Sequence, residues 1–464
     1  MEHLSQAERV AIGKAARRAV PRSRHAEFEP AVDRPDPIGL LERQATSRVL
    51  DLIPIRYGRM LVSPFAFYRG AALIMASDLS RTPVSGIRVQ LCGDAHLSNF
   101  GVFASPERQL MFDLNDFDET LPGPWEWDVK RLAASLAVAG RENRYQRRQR
   151  ERIVRDMALE YRTAIRAFAA SPNLAVWYAR LDLETELETW RSQFAAKAVR
   201  RTEANIAKAR TRDSMRAFQK LTRIVDGEPR IIGDPPLIVP VEEVFPEATA
   251  EQLTESVREF IRGYRGSLQT DRRALLEQFR FVHLARKVVG VGSVGTRAWI
   301  ALFLGLDSND PLFLQVKEAQ PSVLEEFAGG TAYANAGERV VAGQHVMQAA
   351  SDIFLGWRRM TNPLEGVERD FYVRQLKDWK GSAEVEGMPP ENMAAYARMC
   401  GWTLARAHSR SGDRVALAAY LGAGDTFDRA LAQFAEAYAD QNESDYEALD
   451  RAVKSGRIEA QLGL

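Results

Sequence analysis

The segment from Val288 to Lys317 differs in pattern from most of the chain around it. Its sequence, VVGVGSVGTRAWIALFLGLDSNDPLFLQVK, is punctuated by glycines and then rich in branched and aromatic residues, which is typical of strands joined by turns. From Trp127 to about Ile224, apolar residues recur every three or four positions, and the chain is again helical in pattern after Pro390. The sequence therefore predicts an α+β protein in which a compact β-rich part interrupts a larger helical part.

The length of 464 residues fits more than one domain, because domains usually span ~100–200 residues. We expect an N-terminal extension at 1–62, a helical part with polar loops at 63–287, a β-rich part at 288–388 and C-terminal helices at 389–464. The individual elements predicted are helices at Phe65–Ser80, Ala250–Ser267, Asp271–Arg286 and Glu338–Ser351, strands at Ile87–Leu91, Leu110–Leu114, Ile353–Trp357 and Phe371–Leu376, and a hairpin within Ile224–Val241.

The composition narrows the class of protein. Lys and Arg total 63 against 62 Asp and Glu, so a net charge of +1 gives no overall case for binding nucleic acid or a membrane. Two cysteines cannot form a disulfide framework, and the N-terminus lacks the apolar run of a secretory signal. The longest apolar stretch, Ala298–Leu306, is far shorter than the ~20 residues that span a bilayer. We therefore expect a cytoplasmic protein; its oligomeric state is not indicated.

An unusual polar loop follows the predicted strand Ile87–Leu91. The sequence CGDAHLSNFG places Asp94, His96 and Asn99 within six residues. Such a loop can direct a carboxylate toward an acceptor hydroxyl and an amide oxygen toward a cation. Hard cations such as Mg²⁺ prefer oxygen ligands, and phosphoryl transfer requires the charge of the phosphate oxygens to be neutralised.

A second polar loop, FDLNDFDET, stands at the end of the next predicted strand. It carries Asp113, Asp116 and Asp118, each a candidate metal ligand. Because the strands before both loops are apolar, several carboxylates would converge at the edge of a core, where a cation or a proton must relieve their repulsion. An ordinary capping role for these residues is the alternative.

The glycine-rich segment has the spacing G-x-G-x-x-G at Gly290, Gly292 and Gly295, with Ser293 between the last two. Glycines allow backbone N–H groups to approach a phosphate, both in kinases and in dinucleotide-binding folds. The following residues, AWIALFLGL and a polar turn, favour a β-hairpin over the helix that a dinucleotide-binding fold requires. The second arm of this hairpin ends at Lys317, which could hold phosphate groups.

A family resemblance follows from these residues. CGDAHLSNFG resembles the catalytic loop of aminoglycoside phosphotransferases, with Cys92 in place of their first histidine. NDFDET followed by GPWEWDVKRLA resembles their metal-binding aspartate and the helix that opens with a structural aspartate, here Asp128. More closely, the whole chain resembles a bacterial family of unknown function to which a kinase-like fold has been attributed.

The resemblance implies roles for individual residues. Asp94 would accept the proton of the attacking hydroxyl, Asn99 with Asp116 would bind Mg²⁺, and His96 would brace the loop. Asp113 could replace Asp116 as the metal ligand. Lys317 would contact the phosphates of ATP and would need an acidic partner, for which Glu325, Glu326 and Glu338 are the candidates.

The order of the motifs departs from that of ordinary kinases, in which the glycine loop and the lysine precede the catalytic loop. Here the segment 290–317 follows the segment 94–118. A circular permutation would reconcile the two orders, because folds tolerate it when their termini lie close together. The helix ending in LARAHSRSGD, Leu404–Asp413, resembles the one that should lead into the catalytic loop, although Phe65–Ser80 competes for that position.

The resulting expectation is a Mg-ATP-dependent phosphotransferase with a permuted, two-lobe, protein-kinase-like fold. Its acceptor would be a hydroxyl group of an unidentified molecule, a small compound or a protein. A metal-dependent phosphohydrolase is an alternative, although only His96 of the six histidines lies in the polar cluster. Nucleotide binding without catalysis and transfer of AMP instead of phosphate are further alternatives.

Overall fold

The computed structural model describes residues 3–183, 207, 210–211, 213–361, 366–376 and 379–464. Helices and several small sheets alternate along the chain. The α+β class predicted from the sequence is therefore confirmed.

The helices of the described residues are numbered in chain order. They are α1 Gln6–Ala19, α2 Pro37–Ala45, α3 Ile53–Met60, α4 Pro64–Gly70, α5 Ala72–Leu79, α6 Trp125–Glu142, α7 Arg147–Ala169, α8 Asn173–Tyr178, α9 Ser214–Leu221, α10 Val241–Val244, α11 Ala250–Arg265, α12 Thr270–Leu276, α13 Glu325–Ala328, α14 Ala336–Met347, α15 Pro390–Ser411, α16 Arg414–Leu421 and α17 Thr426–Lys454.

The strands are numbered in the same way. They are β1 Arg88–Leu91, β2 Phe100–Ala104, β3 Leu110–Leu114, β4 Leu121–Pro124, β5 Leu181–Asp182, β6 Thr222–Val225, β7 Glu228–Ile231, β8 Ile238–Pro240, β9 Arg280–Lys287, β10 Ala298–Leu304, β11 Pro311–Ala319, β12 Gly356–Thr361, β13 Glu368–Gln375 and β14 Gly381–Ser382.

The strands form one large sheet and three smaller ones. The large sheet is antiparallel, in the order β12-β13-β11-β10-β9-β8. A four-stranded sheet has the order β14-β2-β3-β5, and two further pairs are β1-β4 and β6-β7. Because β14 pairs with β2, the chain that leaves the large sheet passes directly beside the polar loops that flank β2.

Several elements differ from the sequence prediction. The predicted helix Asp271–Arg286 is wrong over its second half, which is strand β9. Here His283 and Ala285 are buried with period two against β8 and β10, so tertiary pairing decides the conformation. The predicted helix Phe65–Ser80 is broken into α4 and α5 at Ala71.

The large sheet also begins earlier than expected. Its first strand, β8, starts at Ile238, so the domain boundary drawn at residue 288 falls inside the sheet, between β9 and β10. In contrast, the Asp226-Gly227 turn does join the strands of a hairpin, β6-β7, and both residues have positive φ.

Helix α6 is the centre of the helical part. Almost every side chain from Trp125 to Gly140 is buried, because α7, α15 and α17 all pack against it. Small residues such as Ala133, Ala134 and Ala137 allow this close approach from several sides. A helix so enclosed has a fixed position, and its first turns lie directly behind the loop that follows β1.

The two faces of the large sheet pack against different helices. Leu314 and Val316 of β11 join the core formed with α11 and α12. Phe313 lies on the opposite face, in the core formed with α9. Because side chains alternate along a strand, Lys317 lies on the same face as Phe313. No helix among the described residues is both long enough and apolar enough to cross a membrane.

Candidate active site

The loop after β1 is held in place from behind by Asp128, on the first turn of α6. The carboxylate of Asp128 accepts hydrogen bonds from the backbone N–H groups of Cys92, at 2.8 Å, and Gly93, at 3.0 Å. Gly93 has a φ of +83°, and a Cβ atom there would lie 2.2 Å from the carbonyl oxygen of Glu119. Only glycine fits this turn, which brings the two polar loops into contact.

Asp94 follows this turn and faces the cleft. Its Oδ1 atom accepts a hydrogen bond of 2.5 Å from Nε of Arg131, a buried residue on α6. His96 lies on the other side, with Nε2 at 3.6 Å from Oδ2 of Asp94. Burial lowers the pKa of His96 to about 4, so its imidazole is neutral near pH 7. The Asp94 carboxylate is thus oriented by Arg131 and remains partly exposed.

Asn99 connects the two polar loops through its side-chain amide. Its Nδ2 atom donates to the carbonyl oxygens of Asp94 and Asp116, both at 2.9 Å. Its Oδ1 atom accepts from the N–H of Asp116 at 2.7 Å and from that of Asn115 at 3.3 Å. The oxygen proposed from the sequence as a metal ligand is therefore used to fix the position of Asp116 relative to Asp94.

Lys317 meets the second polar loop at the end of β3. Its side chain is 2% exposed, and its Nζ atom lies 2.5 Å from Oδ2 of Asp118 and 3.5 Å from Oδ1 of Asp116. Oδ1 of Asp118 also accepts a 2.6 Å hydrogen bond from the hydroxyl of Tyr372. Burial acts to lower the pKa of Lys317, but the charges of the two carboxylates raise it by more. The pKa of Lys317 is therefore above its ordinary value.

The second polar loop contains more negative charge than Lys317 neutralises. Burial acts to raise the pKa of Asp116, but the charges of Lys317 and Arg374 lower it by more. The pKa of Asp116 is therefore below its ordinary value. Burial raises the pKa of the adjacent Glu119 to about 7, with smaller contributions from Asp118 and Asp94. A cation at this loop would relieve the remaining repulsion.

Asp113 lies outside this arrangement. It is 1% exposed, and its Oδ1 atom accepts a hydrogen bond from Nη2 of Arg406 on α15. Its Oδ2 atom accepts from the N–H of Ala349 at 2.8 Å. A metal ion at Asp113 would have to displace a buried arginine, and of the three aspartates only Asp116 lines the cavity described below.

The glycine segment forms the turn between β9 and β10 and lies against the second polar loop. Ser293 donates a 3.2 Å hydrogen bond from Oγ to Oδ2 of Asp118. Gly290 and Gly295 both have positive φ, and their carbonyl oxygens accept from Arg59 at 2.6 Å and from the N–H of Val49 at 2.8 Å. The turn is therefore anchored at one end by Arg59 of α3 and at the other by Val49, between α2 and α3.

The acidic residues proposed as partners of Lys317 lie elsewhere. Glu325 is 3.8 Å from Nε of Arg339 and accepts the N–H of Ser322. Glu326 forms a 2.8 Å ion pair with Arg43 on the surface, and Glu338 lies in the first turn of α14. The acidic side chains that contact Lys317 are Asp116 and Asp118 of the second polar loop.

A cavity of about 560 Å³ joins these elements. Asp94, His96, Asn99 and Asp116 line it together with Gly290, Gly292 and Ser293. It is also lined by five basic side chains, Arg69, Arg216, Lys220, Arg374 and Lys380. Burial lowers the pKa of Lys380 to about 7.

Sequence reasoning missed most of these basic residues, and only one missed site residue had a usable signal. Arg131 is three positions after Asp128 on a helix, so both face the same loop. Tyr372 and Arg374 lie on β13 beside Lys317, and Lys380 lies just before β14. No local pattern indicates that they meet the cleft.

Helix α15 closes the rear of the site. Nε2 of His408 lies 3.3 Å from Oδ2 of Asp128, and Nδ1 is 2.8 Å from the hydroxyl of Tyr161. At the end of the helix, Oγ of Ser411 accepts a 3.0 Å hydrogen bond from the N–H of Gln90 on β1. The C-terminal end of α15 thus lies beside the strand that enters the Asp94 loop.

The fold and the site define an α+β protein with a polar cleft between a six-stranded antiparallel sheet and a largely helical part. Residues 48–452 match the model of a family described as uncharacterised proteins conserved in bacteria, DUF2252, and the chain belongs to this family. No curated protein and no solved structure matches the chain.

Proposed function

We propose that this protein is a Mg-ATP-dependent phosphotransferase with a circularly permuted, protein-kinase-like core. The observation that carries the proposal is the contact of Lys317 with Asp116 and Asp118. It joins the glycine turn and its lysine to the loop that Asn99 fixes beside Asp94. A phosphotransferase requires these parts together at one cleft.

The donor set suits Mg²⁺ bound jointly with phosphate groups. Among the residues that the structure describes, no group of three or more His, Cys, Asp and Glu side chains is placed to hold a metal ion. Mg²⁺ is usually bound by one or two carboxylates, with phosphate oxygens and water completing its shell. Asp116 and Asp118 supply such a partial site, and the ion would neutralise charge on the phosphate oxygens.

Asp94 is the residue we assign to the acceptor hydroxyl. It accepts the hydroxyl proton as the oxygen–phosphorus bond forms and the bond from the γ-phosphorus to ADP breaks, giving ADP and a phosphorylated acceptor. Arg131 fixes the direction of the carboxylate, and neutral His96 limits its movement on the other side. His96 is thus a positioning residue.

The permutation is supported by the end of α15. In the unpermuted order, a helix would lead directly into the strand before the catalytic loop. Here Ser411 is hydrogen-bonded to Gln90 of β1, although 321 residues separate them along the chain. The two segments therefore occupy neighbouring positions in space without being joined in sequence.

Calorimetric titration with ATP, with and without Mg²⁺, tests the proposal. We expect Mg-dependent binding that Asp116→Asn and Lys317→Ala weaken. Products formed from ATP with a bacterial metabolite extract then identify the reaction: ADP indicates phosphoryl transfer, whereas pyrophosphate indicates AMP transfer. Absence of any affinity for Mg-ATP would refute the proposal, and binding without either product would leave a nucleotide-binding protein.

A further inference from the structure

The cavity is lined by more basic than acidic side chains. Lys317 is already balanced by Asp116 and Asp118. The cavity lining adds Arg69, Arg216, Lys220, Arg374 and Lys380 against the carboxylates of Asp94 and Asp116. His96 is neutral near pH 7, and burial lowers the pKa of Lys380 to about 7. The other four basic side chains still outnumber the two carboxylates, so the lining as a whole is positive.

Arg69, at the end of α4, is the cationic group beside Asp94. Burial lowers the pKa of Arg69, and the nearby charge of Asp94 acts in the opposite direction. Its backbone carbonyl lies 3.1 Å from the position that a Cβ atom of Gly292 would occupy, which places it next to the glycine turn. Its Nε atom is buried and has no hydrogen-bond partner in the described part of the chain. A guanidinium in this state favours an anionic oxygen acceptor.

Arg216 and Lys220 bring positive charge from α9. They are four positions apart and so share one side of the helix, which lines the cavity. Ala217 and Leu221 of the same helix are buried in the core that α9 forms with the sheet. Because this packing fixes the rotation of α9, the exposed charges of Arg216 and Lys220 are directed toward the cavity.

We propose that the acceptor is an anionic hydroxyl compound, one that carries a phosphate or carboxylate group in addition to the hydroxyl that reacts. This inference rests on the proposed function. A polycationic acceptor such as an aminoglycoside would require an acidic lining, and this cavity has the opposite charge. The second anionic group is bound by Arg216 and Lys220, and Arg69 is placed to contact the reacting end near Asp94.

Calorimetry on the full chain saturated with Mg²⁺ and a non-hydrolysable ATP analogue tests this inference. Three probes of similar size are titrated: glycerol 3-phosphate, glycerol and 2-aminoethanol. We expect heat of binding for the anionic probe alone. Arg216→Gln should weaken it by about tenfold, the loss expected for one charge-assisted hydrogen bond. Arg223→Gln, which removes an exposed charge outside the cavity, should leave the affinity unchanged.

Two results would overturn the inference while leaving the proposed function intact. One is that glycerol 3-phosphate fails to bind the analogue complex, which would assign the positive charge to the nucleotide alone. The other is that Arg216→Gln and Arg223→Gln affect binding equally. Failure of the analogue itself to bind would instead refute the proposed function, and titration of the anion into the protein alone would then test the cavity by the same pair of variants.

Discussion

The Nζ atom of Lys317 lies 2.5 Å from Oδ2 of Asp118, although 199 residues separate them along the chain. Asp116 is the second carboxylate at the same ammonium group. Lys317 therefore supplies the buried charge that both carboxylates share, while Tyr372 and Ser293 add hydrogen bonds to Asp118. A divalent cation would compete for the same oxygens, so the contact links stability to metal binding.

Replacing Lys317 by Met should make the protein depend on Mg²⁺ for stability. Without its ammonium, Asp116 and Asp118 lose their common counter-charge, so the melting temperature falls. Added Mg²⁺ should then raise the melting temperature of Lys317→Met more than that of the wild type, because the ion meets no competing ammonium. Thermal denaturation across a Mg²⁺ titration measures this. Lys14→Met, at an exposed position of α1, is the control, and equal Mg²⁺ responses in all three proteins would contradict the prediction.

Substitution of Asp113 and of Asp116 should have different effects, because we assign a structural role to Asp113 and a metal-binding role to Asp116. Asp113→Asn leaves the buried guanidinium of Arg406 without its charge partner and should lower the free energy of unfolding by about 3–5 kcal/mol. Asp116→Asn removes a carboxylate that is 42% exposed, so stability should change little while Mg-dependent ATP binding is weakened. Chemical denaturation and calorimetry on both variants measure the two effects. The reverse pattern would move the metal site to Asp113.

Gly93, in the loop after β1, and Gly290, in the glycine turn, should differ sharply in their tolerance of alanine. Gly93 and Gly290 both have positive φ, but a Cβ atom at Gly93 would clash with the backbone of Glu119, whereas one at Gly290 meets nothing within 4 Å. Gly290→Ala should therefore cost only the ~1–2 kcal/mol of the left-handed conformation. Gly93→Ala should cost more and should also reduce nucleotide turnover, because it moves Asp94. Equal melting temperatures for the two variants would contradict this account.

The sequence selected several residues that line the cleft, but not the contacts between them. Asp94, Asn99 and Asp116 stand in short polar loops after apolar strands, so local pattern was sufficient to select them, and the structure places them around one cavity. The partner of Lys317 could not be chosen in this way, because Asp118 is brought to it by a pairing of sheet and loop across the chain. Nor could Asp113 be separated from Asp116, since only the fold reveals Arg406 behind it.

The same distinction applies to the fold. The glycine turn and the strands β10 and β11 carry strong local signals, and the structure contains them. Strand β9 carries no such local signal, because the sequence FRFVHLARK is compatible with a helix and with a strand. Its pairing with β8 and β10 decides the conformation. Missing β9 placed the start of the β-rich part about fifty residues too late along the chain, at 288 instead of β8 at Ile238.

A buried amine in the helical part should make stability depend on pH. Lys130 on α6 is fully buried, its Nζ atom has no hydrogen-bond partner among the described residues, and it lies 4.7 Å from the ring centre of Phe434. Burial lowers the pKa of Lys130 from 10.5 to about 7, although the charge of Glu126 opposes this. Between pH 7 and 10.5 the unfolded chain therefore binds a proton that the folded protein does not, so stability rises with pH across this window.

Lys130→Met should remove this dependence. The variant keeps an unbranched apolar side chain in the same space, so near pH 7 its free energy of unfolding should exceed that of the wild type, by up to about 5 kcal/mol. The difference should shrink by about 1.4 kcal/mol for each pH unit above 7 and level off below it. Urea denaturation at pH 7, 8 and 9 measures the trend, with Lys14→Met as the exposed control. A stability difference that stays constant from pH 7 to 9 would show that Lys130 is protonated in the folded protein throughout this range.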